Sequence, residues 1–218
     1  MTTEQVVHCP LDIANLLAKR FGYETYLEIG IRRTGDNFDH VQIPVKHGVD
    51  IEPKAGATFT MSSDRFFIEG HGLPKYDLIY VDGDHRELPA LRDMVHSLDR
   101  LAVGGTILCD NVIPTPNQLA QVGPPCDTWK AWAYLRMSRP DLRMVVVDIP
   151  FGCGIVRRGR QNLFVPEELP YKPMKRDPCV DAAFYTKYRE KLLRIVSPEW
   201  FMSAVQNNGL THEVLRDE

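Results

Sequence analysis

Apolar and polar residues fall in blocks whose period changes along the chain. Over 11–21, Leu11, Leu16, Leu17 and Phe21 run partly in step with a 3.6-residue repeat and Gly22 follows as a stop, which predicts a helix. Thr25-Tyr26-Leu27-Glu28-Ile29-Gly30 is a short run of strand formers ending in glycine. Residues 46–51 predict a second strand, ended by Pro53, and 57–61 a weaker third. Residues 76–81 (YDLIYV) form an apolar run of the kind expected of a strand covered on both faces. Over 87–101 the helical spacing returns, with Leu88, Leu91, Val95, Leu98 and Leu101 on one face, and 106–109 is a further buried strand. This alternation predicts a parallel α/β sheet with helices on both faces.

The pattern then loosens. Residues 114–127 contain four prolines and read as a loop or lid. A helix is expected over 128–138. Two strands, 144–149 and 154–158, are joined tightly through Pro150-Phe151-Gly152-Cys153, a hairpin signal. Residues 161–179 are proline-rich and irregular, and 180–195 and 199–206 read as helices, the second opened by Ser197-Pro198.

Composition narrows the class. Of the 218 residues, 44% are hydrophobic and 25% charged, as in soluble globular proteins. The net charge of −3 counts against nucleic-acid binding by bulk electrostatics. No apolar run reaches the ~18 residues of a membrane span, and the first residues lack the basic start and apolar core of a signal peptide. The five cysteines, Cys9, Cys109, Cys126, Cys153 and Cys179, are scattered without a CxxC pair. They read as free thiols of a cytoplasmic protein and disfavour a cysteine-built zinc site.

In an open parallel sheet, ligands bind beyond the carboxyl ends of the strands. Those ends carry Glu28 and Gly30, then Asp50, then Ser62-Ser63-Asp64, then Asp82-Gly83-Asp84-His85, then Asp110-Asn111. Any one of these also suits a helix cap or a turn; the full series in this order favours a binding site. The loop EIGIRRTGDN is not a GxGxxG fingerprint, since Arg32 stands between Gly30 and Gly35. Asp50, 22 positions after Glu28, is placed to meet a ribose diol, which fits an adenosine-containing ligand of either dinucleotide or S-adenosylmethionine type. Asp82, Asp110 and Asn111 are hard oxygen donors suited to Mg²⁺, Mn²⁺ or Ca²⁺. His85, three residues after Asp82, can face the same cleft as a general base.

The series LEIG, GVDIEP, DLIYVDGDH and GGTILCDN resembles the class I S-adenosylmethionine-dependent methyltransferases, and among them the metal-dependent O-methyltransferases acting on catechols or macrolide sugars. The resemblance spans roughly 11–158. It implies a Rossmann-like α/β fold with a mostly parallel seven-stranded sheet, an antiparallel last strand and helices on both faces. It divides the chain into an S-adenosylmethionine-binding domain, 1–158, and a C-terminal helical extension, 159–218, packed on it. Glu28, Gly30, Gly35 and Asn37 would wrap the methionine part of the cofactor. Asp50 would hold the ribose, Ile51 would lie beside the adenine, and Ser62 and Ser63 would border it. Asp82 would serve both cofactor and metal, with Asp110 and Asn111 completing the ligands of Mg²⁺ or another divalent cation, and His85 would be the base.

A neutral hydroxyl is a weak nucleophile at pH 7, so the expected acceptor is a small molecule with vicinal oxygens, a catechol or a sugar diol. Arg32 and Arg33, absent from the usual loop, either reach an acidic acceptor group or pair with Asp36. Trp129, Trp132 and Tyr134 either line the acceptor pocket or belong to the core. The amphipathic face of Phe184, Tyr185, Tyr188, Leu192 and Ile195 packs on the domain or forms a homo-oligomer contact. The competing classes are a metal-independent methyltransferase, a nucleotide-binding Rossmann-type protein without methyl transfer, and a non-catalytic subunit keeping the cofactor fold. The missing GxGxxG and the DGDH and CDN motifs count against the second.

Overall fold

A computed structural model of the chain describes residues 6–70, 72–120, 126–167 and 181–210. Among these residues eight strands form one sheet: β1 (Thr25–Ile29), β2 (Val45–Asp50), β3 (Phe59–Thr60), β4 (Tyr76–Val81), β5 (Leu101–Cys109), β6 (Leu142–Val147), β7 (Cys153–Arg158) and β8 (Ile195–Val196). Their spatial order is β3-β2-β1-β4-β5-β7-β6-β8. β7 runs antiparallel to both β5 and β6, whereas the other pairings are parallel. The chain leaves β1 toward β2 and β3, then returns to lay β4 on the other flank of β1. That reversal opens a crevice at the carboxyl ends of β1 and β4.

Strand alternation sorts the core into two layers. Leu27, Ile29, Ile79 and Val81 face Phe66 of α2 (Ser63–Glu69), Ala90 and Met94 of α3 (Glu87–Arg100), Trp129 of α5 (Thr128–Ser138) and Tyr185 of α6 (Ala182–Leu193). Tyr26, Leu78 and Tyr80 face Ile13 and Leu17 of α1 (Pro10–Phe21) and Phe201 and Val205 of α7 (Pro198–Gln206). Each fully buried Leu, Ile or Phe contributes roughly 1.5–3 kcal/mol. No helix among the described residues is long and apolar enough to cross a membrane.

Several expectations are corrected. Among the described residues the sheet has eight strands, not seven, because Ile195 leaves the expected helix 180–195 and pairs as a strand with Val196 following it. Arg194, at φ 52°, ends α6, and the Val146 amide donates to Arg194 and that of Asp148 to Val196, adding β8 beside β6. The short α2 was missed, since seven residues give periodicity little to act on; its Ser62 cap accepts from the Arg65 amide. Within the expected loop 114–127, Thr115 and Gln118 form a reciprocal cap that starts a one-turn helix, α4 (Pro116–Leu119); residues 121–125 of that loop lie outside the described residues. So do 168–179 of the irregular segment, Cys179 included, and Val180.

The expected face of α3 holds at four of its five positions, with Leu98 and Leu101 buried and Leu91 and Val95 packed partly buried on the core, and departs at the first. Leu88 is 63% exposed, whereas Ala90, Asp93, Met94, Ser97 and Leu98 are buried. Trp129 and Trp132 are core residues and Tyr134 is exposed, so none of the three lines the acceptor side of the crevice. The tail helix packs on the domain: the Tyr185 ring meets Trp129 at 4.9 Å and Phe184 and Tyr188 both meet Phe164.

Candidate active site

The first wall of the crevice is the loop after β1. Gly30 has φ +85°, and a Cβ there would stand 2.6 Å from the Asp82 carbonyl carbon. Only glycine lets this loop cross the end of β4 so closely. The loop then turns under Asp50: the Arg32 amide donates to Oδ2 at 2.8 Å and the Glu52 amide to Oδ1 at 2.8 Å. The Arg32 side chain pairs with Asp36 at 2.8 Å, which settles that alternative for Arg32. Asn37, Ile51, Ser62 and Ser63 line the same cavity as Gly30 and Asp50. Gly35 does not line it, and open space surrounds the position its side chain would take. Glu28 also stays beneath the loop, 1% exposed, accepting from the Tyr26 hydroxyl at 2.7 Å. Burial pushes its carboxyl up to about 8, against that hydrogen bond.

The second wall is built at the ends of β4 and β5. Asp82, His85 and Asp110 bring one donor atom each within 4.8 Å of one another. His85 Nε2 lies 3.1 Å from Asp82 Oδ1, and Asn111 Nδ2 lies 2.9 Å from His85 Nδ1. Asn111 reaches the ring from a left-handed backbone, φ 57°, which asparagine tolerates better than most residues. Two segments fasten this wall. The Asp127 amide donates to the His85 carbonyl at 2.7 Å, and the Cys126 thiol donates to the Asn111 carbonyl at 3.4 Å. Burial, then the Asp82 charge, pushes Asp110 up to about 7. Burial alone would lower the His85 pKa. The Asp82 hydrogen bond and the charges of Asp82, Asp110 and Asp84 outweigh burial and raise it.

These walls enclose a cavity of about 890 Å³, which also meets Pro89, Arg92, Asp93, Gln118 and Phe151. Ligand sites of small molecules span roughly 300–1,000 Å³. The residues fit both groups the motifs imply. The glycine crossing and the Asp50 carboxylate suit a nucleoside-bearing ligand, and two facing carboxylates beside an amide and an imidazole suit a hard divalent cation. Sequence reading overlooked Asp93 and Phe151. Asp93 could have been found as a polar residue at helical spacing from Ala90 and Ser97. Phe151 sits in a turn closed by the Gly152 amide on Ile149, at φ 65°, where glycine or asparagine is the usual occupant, so nothing in its own type announced it.

Strand order, switch point and the glycine crossing define a doubly wound α/β protein of the class I methyltransferase fold. Residues 22–112 match the family described as a methyltransferase domain. Among solved structures, the chain is similar to cofactor-bound Rv0187 from MTB, at 18% identity, 72% coverage of this chain, 82% of that one, and a TM-score of 0.53. It is similar in the same measure to the O-methyltransferase from Bacillus cereus in complex with SAH, at 15% identity, 71% and 81% coverage, and a TM-score of 0.53. At these identities the likeness is one of fold. No curated protein matches the chain in sequence.

Proposed function

We propose that the protein is a divalent-metal-assisted, S-adenosylmethionine-dependent O-methyltransferase acting on a small molecule with vicinal oxygens, a catechol or a sugar diol. The observation that carries the reading is the convergence of Asp82, His85 and Asp110 on the cavity that also holds Gly30 and Asp50. Asp82, Asp110 and Asn111 would hold the cation, whose Lewis acidity lowers the cost of an acceptor alkoxide or phenolate when bound. Gly30, Asn37, Asp50, Ile51, Ser62 and Ser63 would seat the cofactor, with Glu28 and Gly35 shaping its loop from outside the cavity.

His85 is the base. With Nε2–H donated to Asp82 Oδ1, the ring lone pair is at Nδ1, which takes the hydroxyl proton once the Asn111 amide releases it. The carboxylates of Asp82 and Asp110 then stabilise the imidazolium. The β4 and β5 ends keep these groups fixed, so the acceptor oxygen meets a prearranged site.

The test is methyl transfer from S-adenosylmethionine to catechol and sugar-diol panels, with Mg²⁺ and with a chelator. Metal-stimulated turnover is expected. Turnover that survives chelation would replace this reading by a metal-independent one, and no binding of S-adenosylhomocysteine would remove the methyltransferase reading. The closeness of His85 to both carboxylates also favours a second role, as a metal ligand. His85→Ala separates the two. A base predicts a kcat loss on the order of 10²–10⁴-fold with Mg²⁺ affinity kept; a ligand predicts weakened Mg²⁺ binding.

A further inference from the structure

One buried polar group beside the acid pair has no part in the chemistry above. Tyr80, in β4, is 3% exposed and belongs to the apolar layer that holds Leu108, Cys153 and Ile155. It does not line the cavity. A phenylalanine would fill nearly the same volume in that layer; the hydroxyl is the part that must find a partner once buried. Strand register says which partners are in reach. Tyr80 lies level with Glu28 of β1 on one side and with Leu108 of β5 on the other. The ladder continues one step past these strands, since the Asp82 amide donates to the Ile29 carbonyl at 2.9 Å and the Asp110 amide to that of Val81 at 3.0 Å. Side chains alternate along a strand, so Asp82 and Asp110 leave the sheet on the same face as Tyr80. Glu28 is already served, by the Tyr26 hydroxyl at 2.7 Å. The Tyr80 hydroxyl donates to Asp110.

The bond therefore reaches Asp110 from beneath the cavity lining, where a ligand cannot displace it. Burial, with the charges of Asp82 and Asp110, holds the phenol protonated well above its ordinary range, so it stays a donor. A carboxylate with one donor fixed below it loses rotational freedom and keeps lone pairs for a second partner. Neighbours of this kind orient the groups that hold a metal ion. Orientation matters most for Mg²⁺, which demands near-ideal octahedral geometry, and least for Ca²⁺, whose coordination is flexible. We infer that Tyr80 is a positioning residue for Asp110, whose hydroxyl fixes that carboxylate and so favours Mg²⁺ over Ca²⁺ at the Asp82–Asp110 wall. The inference rests on the reading of Asp82, Asp110 and Asn111 as the holders of a divalent cation.

The test is calorimetric titration of the full chain with Mg²⁺, with Ca²⁺ and with S-adenosylhomocysteine, in the wild type and in Tyr80→Phe, which removes the hydroxyl alone. The Mg²⁺ Kd should rise on the order of 10- to 100-fold in the variant, and the Ca²⁺ Kd by no more than about threefold. S-adenosylhomocysteine, seated by other residues, should bind within about twofold of the wild type. Unchanged Mg²⁺ affinity in Tyr80→Phe overturns the inference while the cation reading stands. Parallel weakening of both cations would make the hydroxyl a general support of the fold and overturn it likewise. Should Tyr80→Phe fail to fold by circular dichroism, the wild-type chain decides by proton NMR. The Tyr80 hydroxyl proton, slow to exchange when buried and bonded, should shift on addition of Mg²⁺; an unmoved or absent signal overturns the inference. Binding of neither cation to the wild-type chain overturns the inference and the cation reading together.

Discussion

The two ends of the cavity treat negative charge in opposite ways. At the end proposed for the nucleoside, Asp50 has each carboxylate oxygen on a backbone amide, from Arg32 and Glu52. At the end proposed for the acceptor, Asp82 and Asp110 face each other, with an imidazole and an amide for company. The first arrangement is complete in the bare protein and has lone pairs to spare for neutral hydroxyls. The second is strained by its own charge until a cation or a proton enters. The contrast is what the proposed function asks of a ribose contact at one end and of a divalent-cation site at the other.

Mutations should break this contrast in order of size. Asp110→Ala removes one of the two facing acids; metal-stimulated methyl transfer should fall on the order of 10³-fold or more, while S-adenosylhomocysteine affinity stays within a few-fold by calorimetry. Asp50→Ala should do the reverse. It frees two loop amides as well as the ribose contact, so the S-adenosylhomocysteine Kd should rise roughly 10- to 100-fold with Mg²⁺ binding unchanged.

Glu28 sharpens the comparison from below the loop. Its carboxyl titrates near 8 in the folded chain against an ordinary value of 4.5, so the folded state keeps a proton that the unfolded chain has released. Its contribution to stability is fully present below pH 4.5 and is lost as the pH rises toward 8, by at most about 1.4 kcal/mol per pH unit. Glu28→Gln should therefore gain thermal stability over the wild type progressively from pH 5 to 8, then level off. The smallest effect belongs to Arg32→Ala. The Arg32 side chain is 82% exposed, and an exposed ion pair such as this one with Asp36 contributes about 0–1 kcal/mol. Its amide, not its guanidinium, holds Asp50, so S-adenosylhomocysteine affinity should stay within about twofold.

The legible parts of the molecule were those set by local pattern. Tyr76–Val81 and Thr128–Ser138 have the bounds their patterns predict, and Asp82, His85, Asp110 and Asn111 meet because strand ends in a parallel sheet share one edge. What escaped depends on partners distant in sequence. Asp93 and Ser97 look like surface positions of α3, and Leu88 like a core one, until the helix is set against the sheet and Ser63. Trp129 and Trp132 could equally have served an acceptor; the packing of α5 against α3 and α6 makes them core. Ile195 continues a helical pattern and becomes, with Val196, a strand only because β6 offers a free margin.

That margin has a consequence for the life of the chain in solution. Among the described residues, both borders of the sheet are strands two residues long, β3 at one side and β8 at the other. A long unpaired border invites a second copy to add its own strand, whereas a stub gives it little to grip. Without β8 the outermost strand would be β6, LRMVVV, rich in β-branched residues and buried at five of its six positions. Covering β6 with β8 therefore leaves the sheet a border too short to template a second copy.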